Sequence, residues 1–378
     1  MEDWVLKSLG KFVGRSARKN LGPLTATGLM AQSMGHHNSY RVPRKRACLG
    51  QGLVITQEGV IPDYAPVRRV FHLTNAIVKY YYSPFYLEAQ VPGYHTRVGW
   101  LGGRNVAFTR DGRYCAFASD RASDFIPREF FDNNPDLIVC LVIGGTGIPY
   151  GTSSRNGGAE NVIAWGTEVL HRGIREPLAT ADSYELFDKY GINTAEHIGP
   201  LEAGDIPKVV DWMRDLEASG ARGVILKPSE PHHRPLKYSL PSALLDEGLT
   251  SLELDGKNEE DPYRARLIQA ACAATELSVP AGDWDWEAVG RSLLTQLAGV
   301  TKQVAKGDTL TTEYSVWLHN KEAAEELLAQ LGERATSTSI HQLCLVPENH
   351  GWRFRFERRF VDVTASIQRR LSGVSYPD

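Results

Sequence analysis

Few residues in this chain have the types and spacing needed to make or break a covalent bond. The five cysteines, Cys48, Cys115, Cys140, Cys272 and Cys344, are dispersed and form no Cys-x-x-Cys pair. They fit reduced thiols in a cytosol-like compartment and supply no zinc site. His36-His37 and His232-His233 each offer two imidazoles, but no third ligand lies near either pair in sequence, so both read as solvated loop residues. Residues 144–151 have the glycines of a phosphate loop. They lack the Lys-Ser/Thr that would reach the phosphates, and polar loop follows where a helical pattern is needed, so they read as a turn-rich exit from a strand. The remaining candidate runs from Glu88 to Arg97. A strand-like approach over residues 84–89 leads into Gln90, and Gly93, Tyr94 and Arg97 follow. A glutamine amide has no basic lone pair and cannot form a phosphoramidate, so nucleophilic catalysis through Gln90 is excluded on chemical grounds.

The elements that would position these residues are legible as periodicities. Apolar spacing at Trp4, Val5, Leu9, Phe12 and Val13 predicts an amphipathic helix ended by Gly22-Pro23. Residues 21–50 read as loop. Strand patterns follow at 53–55, 86–89, 96–100, 106–109 and 114–117, with Gly102-Gly103 and Asp111-Gly112 as turns of two successive hairpins. Two hairpins in a row imply an antiparallel sheet and distinguish this region from a Rossmann repeat.

Further strands are expected at 137–143, 162–169 and 223–227, an extended piece at 234–238, and short helices at 130–134 and 183–190. A longer helix spans 205–219, with Asp205 as its cap and Pro207 in its first turn. After an acidic connection at 255–261, helical periods dominate 262–277 and 286–304. A compact tail closes the chain: a strand at 311–319, a helix at 321–330, a hairpin from 342–346 and 352–359, and a last piece at 366–371. In that hairpin Trp352, Phe354 and Phe356 fall on one face and Arg353 and Arg355 on the other, an alternation that suits RNA and a half-buried strand equally.

With 378 residues the chain is long enough for two or three domains and a large core. No stretch approaches the ~20 apolar residues of a membrane span. The net charge of −3 conceals a polarity, because residues 1–57 carry nine Lys/Arg against only Glu2 and Asp3. Such a basic region suits contact with nucleic-acid phosphates. It equally suits a solvated helix and loop, or an organellar import sequence, against which the acidic start counts.

Taken in order, the stretches resemble the archaeal-type homodimeric ATP-dependent RNA ligases of the covalent nucleotidyltransferase superfamily, over about residues 40–373. The resemblance is carried by Pro66-Val67-Arg68-Arg69-Val70-Phe71-His72-Leu73, Gly93-Tyr94-His95-Thr96-Arg97, Ala107-Phe108-Thr109-Arg110-Asp111-Gly112 and Asn134-Pro135-Asp136-Leu137-Ile138-Val139-Cys140. Ser153 with Gly157, Gly223-Val224-Ile225-Leu226-Lys227 and Leu236-Lys237-Tyr238 complete it. It implies an α+β fold: a basic N-terminal module (1–75), an antiparallel-sheet nucleotidyltransferase domain (76–250) and a helical plus small α/β module (251–378) that mediates homodimerisation. It also implies ATP or another nucleotide as ligand and RNA as partner.

The departures from that pattern are consistent with one another. Gln90 replaces the attacking lysine of Lys-x-Asp/Asn-Gly and Pro92 its acid. Leu141 and Arg222 stand where the family has carboxylates that serve ribose, metal and the reacting phosphate. With those acids gone Mg²⁺ loses its ligands, and lysine adenylylation loses its parts together. The basic half survives: by resemblance Gly93, Tyr94, Arg97, Arg110, Lys227 and Lys237 line the nucleotide or its phosphates, and Arg222 adds a further cation. The expected protein is therefore a degenerate RNA ligase that retains RNA or nucleotide binding. The alternatives are a ligase using Lys227 or Lys237 as nucleophile, or accepting adenylylated RNA, and a structural subunit of a ribonucleoprotein assembly.

Overall fold

The computed structural model describes residues 3–13, 29–34, 37–43, 49–81, 84–149, 161–231, 233–241, 272–278, 300–333 and 339–372. The N-terminal module sets helix α1 (Asp3–Phe12) on a four-stranded antiparallel meander of β1 (Met30–Met34), β2 (His37–Arg41), β3 (Val54–Thr56) and β4 (Gly59–Ile61). Val5 and Leu9, one helical turn apart, bury with Val42, Leu49, Leu53, Ile55 and Val60 in a small core of their own.

Two sheets form the centre of the molecule. One is five-stranded and contains β5 (Arg68–Arg69), β6 (Phe85–Ala89), β11 (His197–Leu201), β12 (Gly223–Pro228) and β13 (Leu236–Ser239), in the order β11-β6-β12-β13-β5. All its pairings are antiparallel except β13–β5, which is parallel. Successive strand residues point to opposite faces. Phe85, Leu87 and Ala89 of β6, Val224 and Leu226 of β12, and Leu236 and Tyr238 of β13 turn to one side. There they pack on helices α2 (Leu73–Tyr80) and α6 (Ile206–Ala218) through Leu73, Ile77, Val209, Met213 and Leu216. The opposite face of this sheet is left for Glu88, Ile225, Lys227 and Lys237, with Gln90 and Gly223 continuing its rows.

The other central sheet is antiparallel, in the order β10-β9-β7-β8: β7 (Tyr94–Leu101), β8 (Arg104–Thr109), β9 (Leu137–Gly145) and β10 (Val162–His171). Its largest core joins helices α3 (Ala116–Arg121), α4 (Arg128–Asn133) and α5 (Thr180–Lys189). The same core runs on into the C-terminal module of β14 (Thr311–Leu318), α7 (Lys321–Glu333), β15 (Ser339–Glu348), β16 (Gly351–Arg359) and α8 (Val361–Leu371). Polar ties reinforce that junction: Tyr114 Oη donates to Glu326 at 2.9 Å, and Asp120 accepts from the backbone N–H groups of His319 and Asn320.

Three expectations need correction. Residues 21–50, read as loop, carry β1 and β2. The second hairpin does not form. Only a single bridge joins Phe108 and Tyr114, and the chain then enters α3. The alanine-rich run buries Ala116, Phe117 and Ala118, and its first orphan donor, the Ala116 N–H, bonds Gln330 of α7. Asp205 makes no side-chain cap of α6; its carboxylate accepts from the Glu202 N–H in the turn before the helix and from Lys208 in the first turn of the helix. In β16, Phe354 and Phe356 are buried in the core, which agrees with the half-buried-strand reading of the alternation. The helices expected at 262–277 and 286–304 lie mostly outside the described residues, as do Ser153 and Gly157, and no helix among the described residues is long and apolar enough to cross a membrane.

Candidate functional site

The sheet faces left uncovered by helices enclose a cavity of about 360 Å³. Its floor is the polar face of the five-stranded sheet: Glu88 and Gln90 from β6 and its end, Ile225 and Lys227 from β12, and Lys237 from β13. One row of the register runs His197–Glu88–Ile225–Lys237–Arg69 across the five strands. The far wall comes from the second sheet through His95, Val142, Thr167 and Glu168, and Arg110, Arg222, Tyr64 and Val67 complete the rim.

Gln90 closes its strand by donating its backbone N–H to Gly223 O at 2.7 Å. Its side-chain Oε1 is buried without a hydrogen-bond partner. Gly223 makes room for that amide. A Cβ at Gly223 would strike the Tyr238 carbonyl and stand 2.9 Å from Gln90 Oε1. On the next turn Gly93 has φ +157°, and any side chain there would drive into the Ile143 carbonyl. The two glycines let backbones meet where the cavity narrows.

Lys227 is committed. Its ammonium lies 2.5 Å from Glu88 Oε2 and 2.5 Å from the Thr167 carbonyl, and both side chains of the ion pair are largely buried. Tyr184 Oη donates to the same Glu88 oxygen at 3.0 Å, and the Tyr184 ring stacks on His197 at 4.0 Å. An amine held in such an ion pair is not a free nucleophile.

The cavity's field is positive. His95 presents its ring to the opening, yet its pKa is pushed down to about 4 by burial against the wall and by Arg110, Lys237 and Lys227. It is therefore a neutral imidazole at neutral pH. Glu168 is pushed the other way: burial raises its pKa, Glu88 adds to the rise, and Lys227 and Arg97 only partly oppose it. Burial likewise holds the Tyr64 phenol and the Cys140 thiol in their protonated forms, and Tyr64 Oη donates to Thr96 O at 2.7 Å.

Of the residues singled out in sequence, Gln90, Pro92, Gly93, Arg110, Arg222, Lys227 and Lys237 line this one cavity. Arg97 and Tyr94 do not. Arg97 is fully buried behind the wall and donates to the carbonyls of Pro62, Gly52 and Thr109, so it welds the N-terminal module to the sheet. Tyr94 packs against the large core. Leu141 also faces away: it pairs with Thr96 while its neighbour Val142 pairs with His95, and it is wholly buried in the core.

Sequence reading missed Glu88, His95 and Glu168. Glu88 carried a signal, standing two residues before Gln90 and hence on the same strand face. Glu168 carried none, because a bulge between Gly166 and Glu168 turns it inward opposite Cys140. Among the described residues no group of three or more His, Cys, Asp and Glu could hold a metal ion.

No known protein family and no curated protein matches the sequence. Solved structures do match. A protein from Aquifex aeolicus assigned as an ATP-dependent DNA ligase superposes with a TM-score of 0.86 at 23% identity, covering 95% of this chain and 99% of the other. Two forms of an archaeal ATP-dependent RNA ligase superpose with TM-scores of 0.82 and 0.84, each at 22% identity. They cover 95% and 100% of this chain and 96% and 100% of their own. The fold is therefore the mixed α+β, antiparallel-sheet architecture of ligase-type nucleotidyltransferases.

Proposed function

We propose that the protein is a catalytically degenerate member of this ligase-type fold that binds the phosphates of a nucleotide or of an RNA end without forming a covalent intermediate. Two observations on one cavity floor carry the reading, one at Gln90 and one at Lys227. The amide at the strand end has no nucleophilic lone pair, and the nearby amine on the same floor is withdrawn into an ion pair with Glu88. What remains is a cavity with four cationic side chains against two carboxylates. Such a cavity attracts anions, and of its two amines Lys227 is held by Glu88.

RNA is favoured over a free nucleotide alone by the surface beside the mouth. Val67 lines the rim, and the next residues, Arg68 and Arg69, are exposed on β5, with Arg69 in register with Lys237. Phe71 is 54% exposed two residues further on, and Arg68 lies over the Tyr80 ring at 4.7 Å. Cations interleaved with an accessible aromatic ring suit a phosphodiester chain with stacking bases.

We further read the chain as a homodimer, on the apolar periodicity of Leu267, Ile268, Ala271, Leu293, Leu294 and Leu297. Its reduced thiols fit a cytosol-like compartment.

Incubation with radiolabelled ATP and denaturing electrophoresis tests the central claim: no labelled protein band is expected, while calorimetry detects reversible binding. An AMP adduct on any residue would overturn the degenerate reading.

A further inference from the structure

The relatives in this fold are described as ATP-dependent, and Mg²⁺ is the ordinary companion of a polyphosphate. The donor set of this cavity does not fit such an ion. Only two carboxylates line it, Glu88 and Glu168. Glu88 Oε2 is already taken by the Lys227 ammonium and the Tyr184 hydroxyl. Glu168 sits recessed in the wall and is disfavoured as an anion by burial. Mg²⁺ demands oxygen ligands in near-ideal geometry. Leu141 contributes none, being buried in the core on the other side of its strand.

Cationic side chains occupy the ground instead. Arg222, just before β12, and Lys227 within it bracket the floor, five positions and roughly 16 Å of extended chain apart. Lys237 lies between them, in register with Ile225. Arg110 faces them from the rim, exposed and without an ion pair among the described residues. We propose that this cavity binds a phosphate chain as the metal-free anion, with Arg222, Lys237 and Arg110 supplying the positive charge that a divalent cation would otherwise carry. The inference rests on the binding reading above and deepens it.

A magnesium–polyphosphate complex would bring its cation against this row, where like charges repel, whereas the bare anion is attracted to it. Guanidinium groups also match phosphate oxygens in pairs, which a single ion does not require. The pKa of His95 in the same wall is lowered first by burial and then by Arg110, Lys237 and Lys227. The ligand chemistry is a chain of linked phosphates, carried by a free nucleoside triphosphate or by a 5′-triphosphorylated RNA end.

Isothermal titration of the full chain with inorganic tripolyphosphate, ATP and a 5′-triphosphorylated oligoribonucleotide, in EDTA and in excess Mg²⁺, tests this. Binding is expected in EDTA for all three, with Mg²⁺ weakening it by sequestering the anion. Tighter binding of the oligoribonucleotide than of ATP assigns the RNA end as the source of the phosphate chain, and the reverse assigns the free nucleotide. Arg110→Ala should weaken the EDTA titrations by about tenfold, the worth of one charge-assisted contact, with an unchanged circular dichroism spectrum. Arg222→Glu should weaken them further. Binding that appears only with Mg²⁺ overturns the inference and leaves the binding reading standing, as does ATP binding in EDTA without tripolyphosphate binding. Failure of all three probes in both buffers overturns both.

Discussion

Lys227 Nζ lies 2.5 Å from Glu88 Oε2, on neighbouring strands whose shared face is the floor of the cavity. The pair holds one amine of the cavity as a bound cation and satisfies one of its two carboxylates. Removing either partner strands the other in a largely buried place. Glu88→Ala should therefore cost about 3 kcal/mol of unfolding free energy, read from urea denaturation. A change under ~0.5 kcal/mol would mean that the pair is exposed to water in solution.

Restoring the amine at the strand end should not restore adenylylation. Gln90→Lys places a new cation in an already positive field beside Arg222 and Lys237, and no carboxylate cluster stands by to neutralise the reacting phosphates. A denaturing gel after incubation with labelled ATP and Mg²⁺ should stay blank. A labelled band would show that the cavity can still assemble a reactive phosphate.

Leu141 behaves as a core residue. Leu141→Glu would bury an unpaired carboxylate among Val139, Ile143 and Phe117, at a cost on the order of 3 kcal/mol or more. The thermal midpoint should drop by several degrees, with no gain from added Mg²⁺. Metal-dependent stabilisation of this variant would place the side chain in the cavity and contradict the register.

Arg97 and Arg110 should separate cleanly. Arg97→Met leaves the Pro62, Gly52 and Thr109 carbonyls without their shared donor, so it should destabilise the fold by roughly 2–4 kcal/mol. Arg110→Ala should leave the melting curve within experimental error and act on anion affinity alone. Calorimetric melting combined with ligand titration distinguishes the two, and equal effects of both changes on affinity at unchanged stability would place Arg97 in the site.

His95 supplies a pH readout. Its folded pKa, about 4, lies below the ordinary value of 6.5, so the unfolded chain binds more protons between those limits. The contribution of His95 to stability is thus fully present above about pH 6.5 and is lost as pH falls towards 4. Proton NMR of the His95 ring should show titration near pH 4 in the free protein. Bound tripolyphosphate should move that titration upward by offsetting Arg110, Lys237 and Lys227. An unshifted, ordinary histidine titration would show that neither burial nor these cations act on the ring.

Several features followed from the sequence by itself. The strands at 85–89 and 223–227 are legible as short, bounded apolar runs. Chemistry alone excludes Gln90 as a nucleophile. The turns at Gly102-Gly103 and the helix at 206–218 likewise follow from local residue preference. The tertiary structure decided which strand face meets which neighbour. Arg97 and His95 share a strand face, yet Arg97 lies two residues deeper, where the N-terminal module covers it with backbone carbonyls. Leu141 and Val142 are adjacent, and the β7–β9 register sends one into the core and the other to the cavity. Glu168 reaches the cavity only because one extra residue in β10 reverses the parity of the strand. Parity and burial are set by long-range pairing between segments tens of residues apart, and no local pattern encodes them.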